Sequence, residues 1–130
     1  MTGFICGAWD LLHAGHVLAL KECKNHCDYL IVGLHIDPSI ERKEKNKPIQ
    51  SVFERMVQLQ GCKYVDKIIM YETENELEKI LCSLNIDKRF LGSDYISGKN
   101  ITAKDAIEIV FINRNHNYSS TELRERIKNA

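Results

Sequence analysis

The stretch that decides the fold is Gly7-Ala8-Trp9-Asp10-Leu11-Leu12-His13-Ala14-Gly15-His16. A short apolar run, Phe4-Ile5-Cys6, comes directly before it, and residues 16–27 after it keep apolar side chains at helical spacing. This order predicts a buried strand, then a loop, then a helix. What the loop residues can do therefore depends on where the rest of the chain places the end of that strand.

The remainder of the chain repeats this alternation of strand and helix. Four further apolar runs have the length of strands, and they are residues 29–34, 65–70, 90–92 and 109–112. Capping boxes predict helix starts at Ser51, Thr73 and Ser119, because a Glu follows each of them three residues later. Such alternation predicts an α/β fold, here one Rossmann-like domain over residues 1–130 with helices on both faces of a five-stranded parallel sheet.

Composition excludes several classes of protein. Of the 130 residues 44% are hydrophobic and 28% are charged, which is typical of a globular domain rather than a disordered chain. Lys and Arg total 18 and Asp and Glu total 18, so no net charge draws the protein to nucleic acid or acidic lipid. The longest apolar stretch, Tyr29–Ile36, is too short to span a bilayer, and no signal peptide precedes it. We expect a cytoplasmic protein without membrane insertion.

The five cysteines do not form a C-x-x-C pair. Cys23 and Cys27 have the spacing of one helical face, which favours small core residues over a redox pair or a metal site. We also expect Cys6 and Cys82 to lie on apolar faces, where thiols are inert. The sequence thus predicts no protein-bound metal and no catalytic cysteine.

The loop after the first predicted strand carries two imidazoles, His13 and His16, with Gly15 between them. Ligands of parallel sheets bind beyond the carboxyl ends of the strands, which is where this loop lies. The free N–H groups of the following helix face the same place, and Gly15 allows close approach to the backbone. This combination suits a phosphate that gains negative charge in a transition state. The alternative is that one histidine caps the helix and the other packs in the core.

Two further segments place positive charge or hydroxyl groups beside predicted strand ends. Arg114 follows the last strand, and a helix then begins with three hydroxyl side chains, which together make a second anion site. These hydroxyls belong to Ser119, Ser120 and Thr121. The segment Arg42–Lys47 is rich in charge and has no apolar residue, which predicts a mobile loop. The alternatives are simple helix capping by Ser119 and a solvated loop without a role.

Two motifs carry a resemblance to a known family. Residues 7–16 resemble the G-x-F-D-x-x-H-x-G-H signature of cytidylyltransferases, with Ala8 and Trp9 departing from its usual Thr and Phe. Residues 114–121 resemble the R-T-x-G-I-S-T-T motif of the same family. The likeness covers nearly the whole chain and is greatest to the bacterial enzymes that act on glycerol 3-phosphate.

The resemblance implies transfer of CMP from CTP to a phosphorylated alcohol, with glycerol 3-phosphate as the first candidate. His13 and His16 would stabilise the charge on the α- and β-phosphates, and Arg114 would hold the β- and γ-phosphates. A lysine of the mobile loop would close over them, the candidates being Lys43, Lys45 and Lys47. Mg²⁺ is expected with CTP, and a homodimer is expected.

Further site residues follow from the resemblance. Arg55 and Lys63 are expected to contact the acceptor. The nucleotide is expected to contact Gly7, Ala8, Trp9, Asp10, Gly15, Lys63, Gly92, Asp94, Ser119, Ser120 and Thr121.

Several alternatives stay open at this point. The Ser-Ser-Thr form of residues 119–121 also resembles adenylyltransferases, so ATP could replace CTP. Ethanolamine or choline phosphate, a sugar phosphate or a flavin could be the acceptor. A nucleotide-binding module without turnover could keep the same fold.

Overall fold

The computed structural model describes residues 1–92, 107–113 and 118–130. Within them the chain forms five strands and four helices. The strands are β1 (Thr2–Gly7), β2 (Tyr29–His35), β3 (Lys67–Tyr71), β4 (Lys88–Gly92) and β5 (Glu108–Ile112). The helices are α1 (Ala14–Asn25), α2 (Val52–Gln60), α3 (Glu74–Ser83) and α4 (Ser120–Lys128).

The strands form one five-stranded sheet in the order β3-β2-β1-β4-β5, and every neighbouring pair is parallel. The predicted α/β fold with a parallel sheet is therefore confirmed. Strand order reverses beside β1, because β2 lies on one side of it and β4 on the other. Such a reversal opens a crevice at the carboxyl ends of the strands, and the loop after β1 lies in it.

The two faces of the sheet bury different side chains, because successive residues of a strand point to opposite sides. One face packs Ile5 and Val32 against Leu20 of α1 and Leu59 of α2. The opposite face packs Phe4, Ile31 and Tyr71 against Leu77 and Leu81 of α3. The domain therefore has three layers, with helices on both sides of the sheet.

Glycine is required where β2 passes beside β1. A Cβ atom on Gly33 would lie 2.7 Å from Cζ of Phe4 and 2.9 Å from Cβ of Cys6. Both distances are shorter than normal contacts, so a larger residue would push these strands apart.

All three capping boxes predicted from the sequence mark helix starts. The side chains of Ser51, Thr73 and Ser119 each accept a hydrogen bond from the backbone N–H three residues later. Boundaries elsewhere shift by a few residues. The third strand begins at Lys67 rather than at residue 65, because the backbone N–H of Val65 donates to Cys62 in a turn.

Within the part of the chain that the structure describes, no helix is long and apolar enough to cross a membrane.

Candidate active site

A cavity of about 450 Å³ opens at the carboxyl edge of the sheet, at the crevice beside β1. Distant parts of the sequence meet there, among them the loop after β1, the end of β4 and the start of α4. Eleven of the residues predicted for the site line this cavity, and they are Gly7, Ala8, Trp9, His13, Gly15, His16, Lys45, Gly92, Ser119, Ser120 and Thr121. The fold thus brings most of the predicted site together, while the role of each residue stays a prediction.

The two histidines form a stacked pair at the start of α1. Their ring centroids lie 3.9 Å apart with 24° between the planes. His13 Nδ1 accepts the backbone N–H of Gly15 at 3.0 Å, and His16 Nδ1 accepts the backbone N–H of His13 at 3.3 Å. A nitrogen that accepts an N–H carries no proton, so each neutral ring carries its proton on Nε2. Both rings therefore cap the helix through one nitrogen and keep the other as a donor.

The cap formed by the histidines corrects the predicted start of the first helix. The helical spacing of apolar residues began near residue 16, whereas α1 begins at Ala14 with His13 as its N-cap. Histidine is not among the usual capping residues, so the pattern did not reveal it. The alternative, in which one histidine caps the helix and the other packs in the core, holds only for the cap. His13 caps the helix, and the side chains of both histidines line the cavity.

The loop before the histidines has an unusual backbone. Trp9 and Leu11 have φ angles of 56° and 52°, a region that side chains of this size rarely adopt. Each such residue costs on the order of 1–3 kcal/mol and persists only when its surroundings hold it. The Trp9 indole N–H donates to the Gly33 carbonyl oxygen at 3.0 Å, and the Leu11 N–H donates to Gln50 Oε1 at 2.7 Å. Long-range hydrogen bonds therefore fix this loop in place.

Asp10 lies between these two residues and is 5% exposed. Its carboxylate accepts the backbone N–H groups of Ile49 at 2.9 Å and Gln50 at 3.0 Å. Arg124 Nη2 of α4 lies 2.7 Å from Asp10 Oδ2. Asp10 was expected to contact the nucleotide, but its carboxylate faces these donors, and it is not among the described residues that line the cavity.

Sequence reasoning missed Arg124. Its partner lies 114 positions away, which no local pattern reveals. The sequence feature that could have pointed to Arg124 is its spacing of four residues from Ser120, which places both on one face of α4.

Arg55 was expected to contact the acceptor, but its side chain is buried among backbone carbonyl oxygens. It is 2% exposed, and its Nη atoms donate to the carbonyl oxygens of Ala8 at 3.0 Å, His35 at 2.8 Å and Ile36 at 2.6 Å. Burial lowers the pKa of its guanidinium. Arg55 therefore joins the loops after β1 and β2, because these carbonyl oxygens take up its donors.

Lys63 was expected to contact the nucleotide and the acceptor, but it lies away from the cavity. It lies after α2, and its Nζ lies 5.3 Å from the centroid of the Tyr64 ring, beside a second groove that Leu12 and Val17 line. Lys63 precedes β3, whereas the cavity lies where the strands end. Topology thus explains why it is not among the described residues that line the cavity.

The basic segment Arg42–Lys47 contributes two of its side chains to the cavity. Arg42 and Lys45 line it, and Arg42 Nη2 lies 3.4 Å from Glu74 Oε1. Lys43 and Lys47 are exposed and do not belong to its described lining. Of the three candidate lysines, Lys45 is therefore the one placed at the site.

Two predicted site residues, Asp94 and Arg114, lie outside the described residues. The contacts predicted for them with the nucleotide and its phosphates stay predictions.

The half of the cavity beyond β2 and β3 contains two residues that are not among the site residues predicted from the sequence, His35 and Tyr71. His35 Nε2 lies 3.0 Å from the Glu72 carbonyl oxygen, and its ring stacks on Tyr71 with 4.5 Å between centroids. Burial raises the pKa of the Tyr71 phenol, so this group stays neutral. Both residues end their strands, which is the signal that could have placed them at this edge.

The cysteines divide between three environments. Cys23 is fully buried and burial raises its pKa, which confirms an inert core thiol. Cys6 lines the cavity with Arg89 Nη2 3.9 Å from its Sγ, and Cys82 is exposed on α3. The expectation of an apolar face is therefore wrong for Cys82. Cys6 packs against the apolar cluster that contains Phe4 and Leu77, as expected, and its side chain also meets the cavity near the carboxyl end of β1.

Comparison with known proteins agrees with this architecture. A family described as cytidylyltransferase-like matches residues 4–126. The chain is 33% identical to the glycerol-3-phosphate cytidylyltransferase of Bacillus subtilis over 121 residues, which covers 93% of this chain and 92% of that protein. It is 34% identical to the bifunctional protein HldE of Hyphomonas neptunium over 129 residues, 95% of this chain but 26% of that protein. This chain thus spans about a quarter of the HldE relative's length.

The fold also matches a solved structure. The lipopolysaccharide core biosynthesis protein from Thermoplasma volcanium superposes with a TM-score of 0.70 at 26% identity. The match covers 89% of this chain and 98% of that one.

Proposed function

Since this chain belongs to the cytidylyltransferase-like family of enzymes, we propose that it transfers CMP from CTP to a phosphorylated alcohol, with glycerol 3-phosphate as the first candidate. A phosphate oxygen of the acceptor attacks the α-phosphorus of CTP. The bond between the α-phosphorus and the bridging oxygen breaks, and pyrophosphate leaves with that oxygen. The products are a CDP-linked alcohol and pyrophosphate.

The stacked pair of His13 and His16 carries this proposal. Both rings hold Nδ1 in the helix cap, so Nε2 is the nitrogen through which each neutral ring would donate to phosphate oxygens. His13 Nε2 lies 3.3 Å from Ser120 Oγ, at the first residue of α4. A donor pair beside a helix N-terminus offers fixed positive potential where phosphate charge increases during transfer. Phosphoryl transfer needs mainly such positioning and charge, without a covalent enzyme intermediate.

The acceptor would occupy the half of the cavity beyond the histidines, beside His35 and Tyr71. Lys45 and Arg42 at its rim supply positive charge that suits a phosphate monoester. The name and near-equal length of the Bacillus relative favour glycerol 3-phosphate over the other acceptors.

The nucleotide substrate would be the magnesium complex of CTP, because Mg²⁺ neutralises the charge of the triphosphate. Asp10 is a poor ligand for this ion. Its carboxylate already accepts two backbone N–H groups and the Arg124 guanidinium. Asp10 would therefore act on the nucleotide only through the position of the loop.

We also propose a homodimer. Phe53 and Val57 lie four residues apart on α2 with exposures of 66% and 47%, and Ile49 beside them is 64% exposed. Apolar side chains grouped in this way are typical of an interface. Light scattering of the wild type and of Phe53→Glu tests this. We expect a dimer and a monomer respectively, and a monomeric wild type at every concentration would contradict it.

Pyrophosphate release tests the proposed reaction. CTP and ATP are each combined with Mg²⁺ and glycerol 3-phosphate, ethanolamine phosphate, choline phosphate, a sugar 1-phosphate or flavin mononucleotide. We expect CTP with glycerol 3-phosphate to give the highest rate. Faster release from ATP would identify an adenylyltransferase. No pyrophosphate release in any combination would indicate a binding module without turnover.

A further inference from the structure

We infer that Arg89 of β4 determines which acceptor is used. It donates hydrogen bonds to the end of the acceptor that does not react, and it repels an acceptor whose end is a cationic amine. This role rests on the proposed function, because it concerns the acceptor of the same site. Arg89 lines the cavity but is not among the residues that the sequence predicted for the site.

Arg89 occupies a position where its neighbours in the sheet are apolar. It pairs with Phe4 of β1 and with Ile109 of β5, and partners in a parallel register point to the same face. On that face Phe4 packs against Leu77 of α3. Arg89 is nevertheless a cation and is only 4% exposed. Burying a charge costs free energy, so a cation at a position that suits an apolar residue indicates a function.

The Arg89 side chain extends toward the cavity. Its Nη2 lies 3.9 Å from Cys6 Sγ, and Cys6 lies two residues beyond the register partner of Arg89 on β1. The Tyr71 ring reaches the same place from β3, since a Cβ on Gly33 would lie 2.9 Å from Cys6 Cβ and 3.3 Å from Tyr71 Cε1. Arg89, Cys6 and Tyr71 therefore form the floor of the half of the cavity that the acceptor would occupy.

The charges around this floor are mostly positive. Among the lining residues that the structure describes, Arg42, Lys45 and Arg89 are cations and Glu74 is the one carboxylate. Glu74 Oε1 already lies 3.4 Å from Arg42 Nη2. Arg42 and Lys45 belong to the basic segment at the rim, so Arg89 is the cation that the inner end of the acceptor would meet.

This placement selects acceptors by charge. A guanidinium has five N–H donors and no acceptor, so it binds hydroxyl, carboxylate or phosphate oxygens and repels an ammonium group. Solvent ions screen such repulsion much less at a buried group than at the surface. A repulsive element of this kind gives specificity as much as an attractive one does. The floor therefore favours an alcohol that carries hydroxyl or anionic groups, as in glycerol 3-phosphate, over ethanolamine or choline.

Lys88 provides a matched control. It precedes Arg89 on β4, so its side chain points to the opposite face of the sheet, where its Nζ donates to the His26 carbonyl oxygen at 3.3 Å. Arg89→Met and Lys88→Met remove the same charge from the same strand and leave an unbranched side chain. They differ in whether that charge faced the cavity.

Acceptor kinetics test the inference. With magnesium–CTP, kcat/KM is measured for glycerol 3-phosphate and for ethanolamine phosphate. We expect the wild type and Lys88→Met to prefer glycerol 3-phosphate by at least ~100-fold. Arg89→Met should lower this preference at least about tenfold, equivalent to about 1.4 kcal/mol, and Arg89→Lys should retain part of it. Equal losses with both acceptors in Arg89→Met, or a wild type that prefers ethanolamine phosphate, would overturn the inference.

Calorimetric titration separates this inference from the proposed function. Glycerol 3-phosphate and ethanolamine phosphate are titrated into the wild type and Arg89→Met without nucleotide. We expect the wild type to bind glycerol 3-phosphate more tightly, and Arg89→Met to narrow the difference in Kd about tenfold. Equal Kd values in the wild type, or a difference that Arg89→Met keeps, would contradict selection by Arg89. If the wild type transfers no nucleotide, the proposed function fails and the titration still decides. If Arg89→Met does not fold, Arg89→Gln takes its place.

Discussion

The loop of residues 7–16 and the basic segment Arg42–Lys47 face the same cavity but are held very differently. In the first, buried Asp10 and Trp9 are fixed by bonds to residues more than twenty positions away. In the second, the lysines are exposed, and the long-range contact of a described side chain is that of Arg42 with Glu74. The loop that carries the histidines is thus held by long-range hydrogen bonds, whereas the side chains of the basic segment are held by fewer contacts among the described residues. In the proposed reaction this gives fixed donors for the transferred phosphate and cations at the rim that can adjust to the substrate.

The strongest test of this contrast is His16→Ala. We expect turnover to fall by at least ~100-fold, the scale of losing one oxyanion-type donor, ~2.7–4 kcal/mol. Exposed His26 at the end of α1 gives the control His26→Ala, which should keep full activity. Steady-state pyrophosphate release measures both. A fully active His16→Ala protein would remove the histidines from the mechanism.

The next test separates the lysines of the basic segment. Lys45→Ala should lower kcat/KM by roughly 10-fold, because a hydrogen bond to a charged group contributes about 1.5–3 kcal/mol. Lys43→Ala should change it little, since Lys43 does not belong to the described lining of the cavity. The same assay compares them. Equal losses would show that net charge matters rather than the position of one lysine.

Limited proteolysis tests whether the basic segment closes on the substrate. We expect trypsin to cut first within Arg42–Lys47 in the free protein, because the segment has no apolar anchor to offset the entropy of ordering. Magnesium–CTP should slow this cleavage, since closure would pair these cations with phosphate and exclude water. Peptide mass analysis locates the cuts. Unchanged cleavage at saturating CTP would leave the segment without a closing role.

The smallest effect concerns stability. His13→Ala should lower the free energy of unfolding by about 0.5–2 kcal/mol, because His13 is the N-cap of α1. Lys43→Ala should leave it unchanged within about 0.5 kcal/mol, as surface substitutions usually do. Urea titrations measure both. A loss in Lys43→Ala as large as in His13→Ala would contradict the contrast between an anchored loop and a loosely held segment.

The sequence predicted what depends on local pattern. Alternating apolar runs and helix caps at Ser51, Thr73 and Ser119 led to the sheet and the helices around it. The rule that ligands bind at the carboxyl ends of parallel strands led to the histidine loop and the start of α4. These inferences need no knowledge of which distant residues meet.

Other features depend on partners far apart in the chain. Arg55 carries a charge that suits phosphate and Asp10 one that suits a cation, yet both are used to join loops, and the partners of the Arg55 Nη atoms and of the Asp10 carboxylate lie 19 to 114 positions away. Cys6 packs on the apolar cluster and also lines the cavity, and its position near a strand end gives no sign of the second contact. The sequence therefore located the cavity but could not separate residues that line it from residues that support the loops around it.

Product identification tests the central claim most directly. The wild type and His16→Ala are each incubated with glycerol 3-phosphate and either magnesium–CTP or magnesium–ATP, and the products are identified by mass spectrometry. We predict CDP-glycerol and pyrophosphate in equal amounts from the wild type, and a trace of either from His16→Ala. An AMP-linked product from ATP with none from CTP, or equal product from both proteins, would contradict transfer of CMP by the histidine pair.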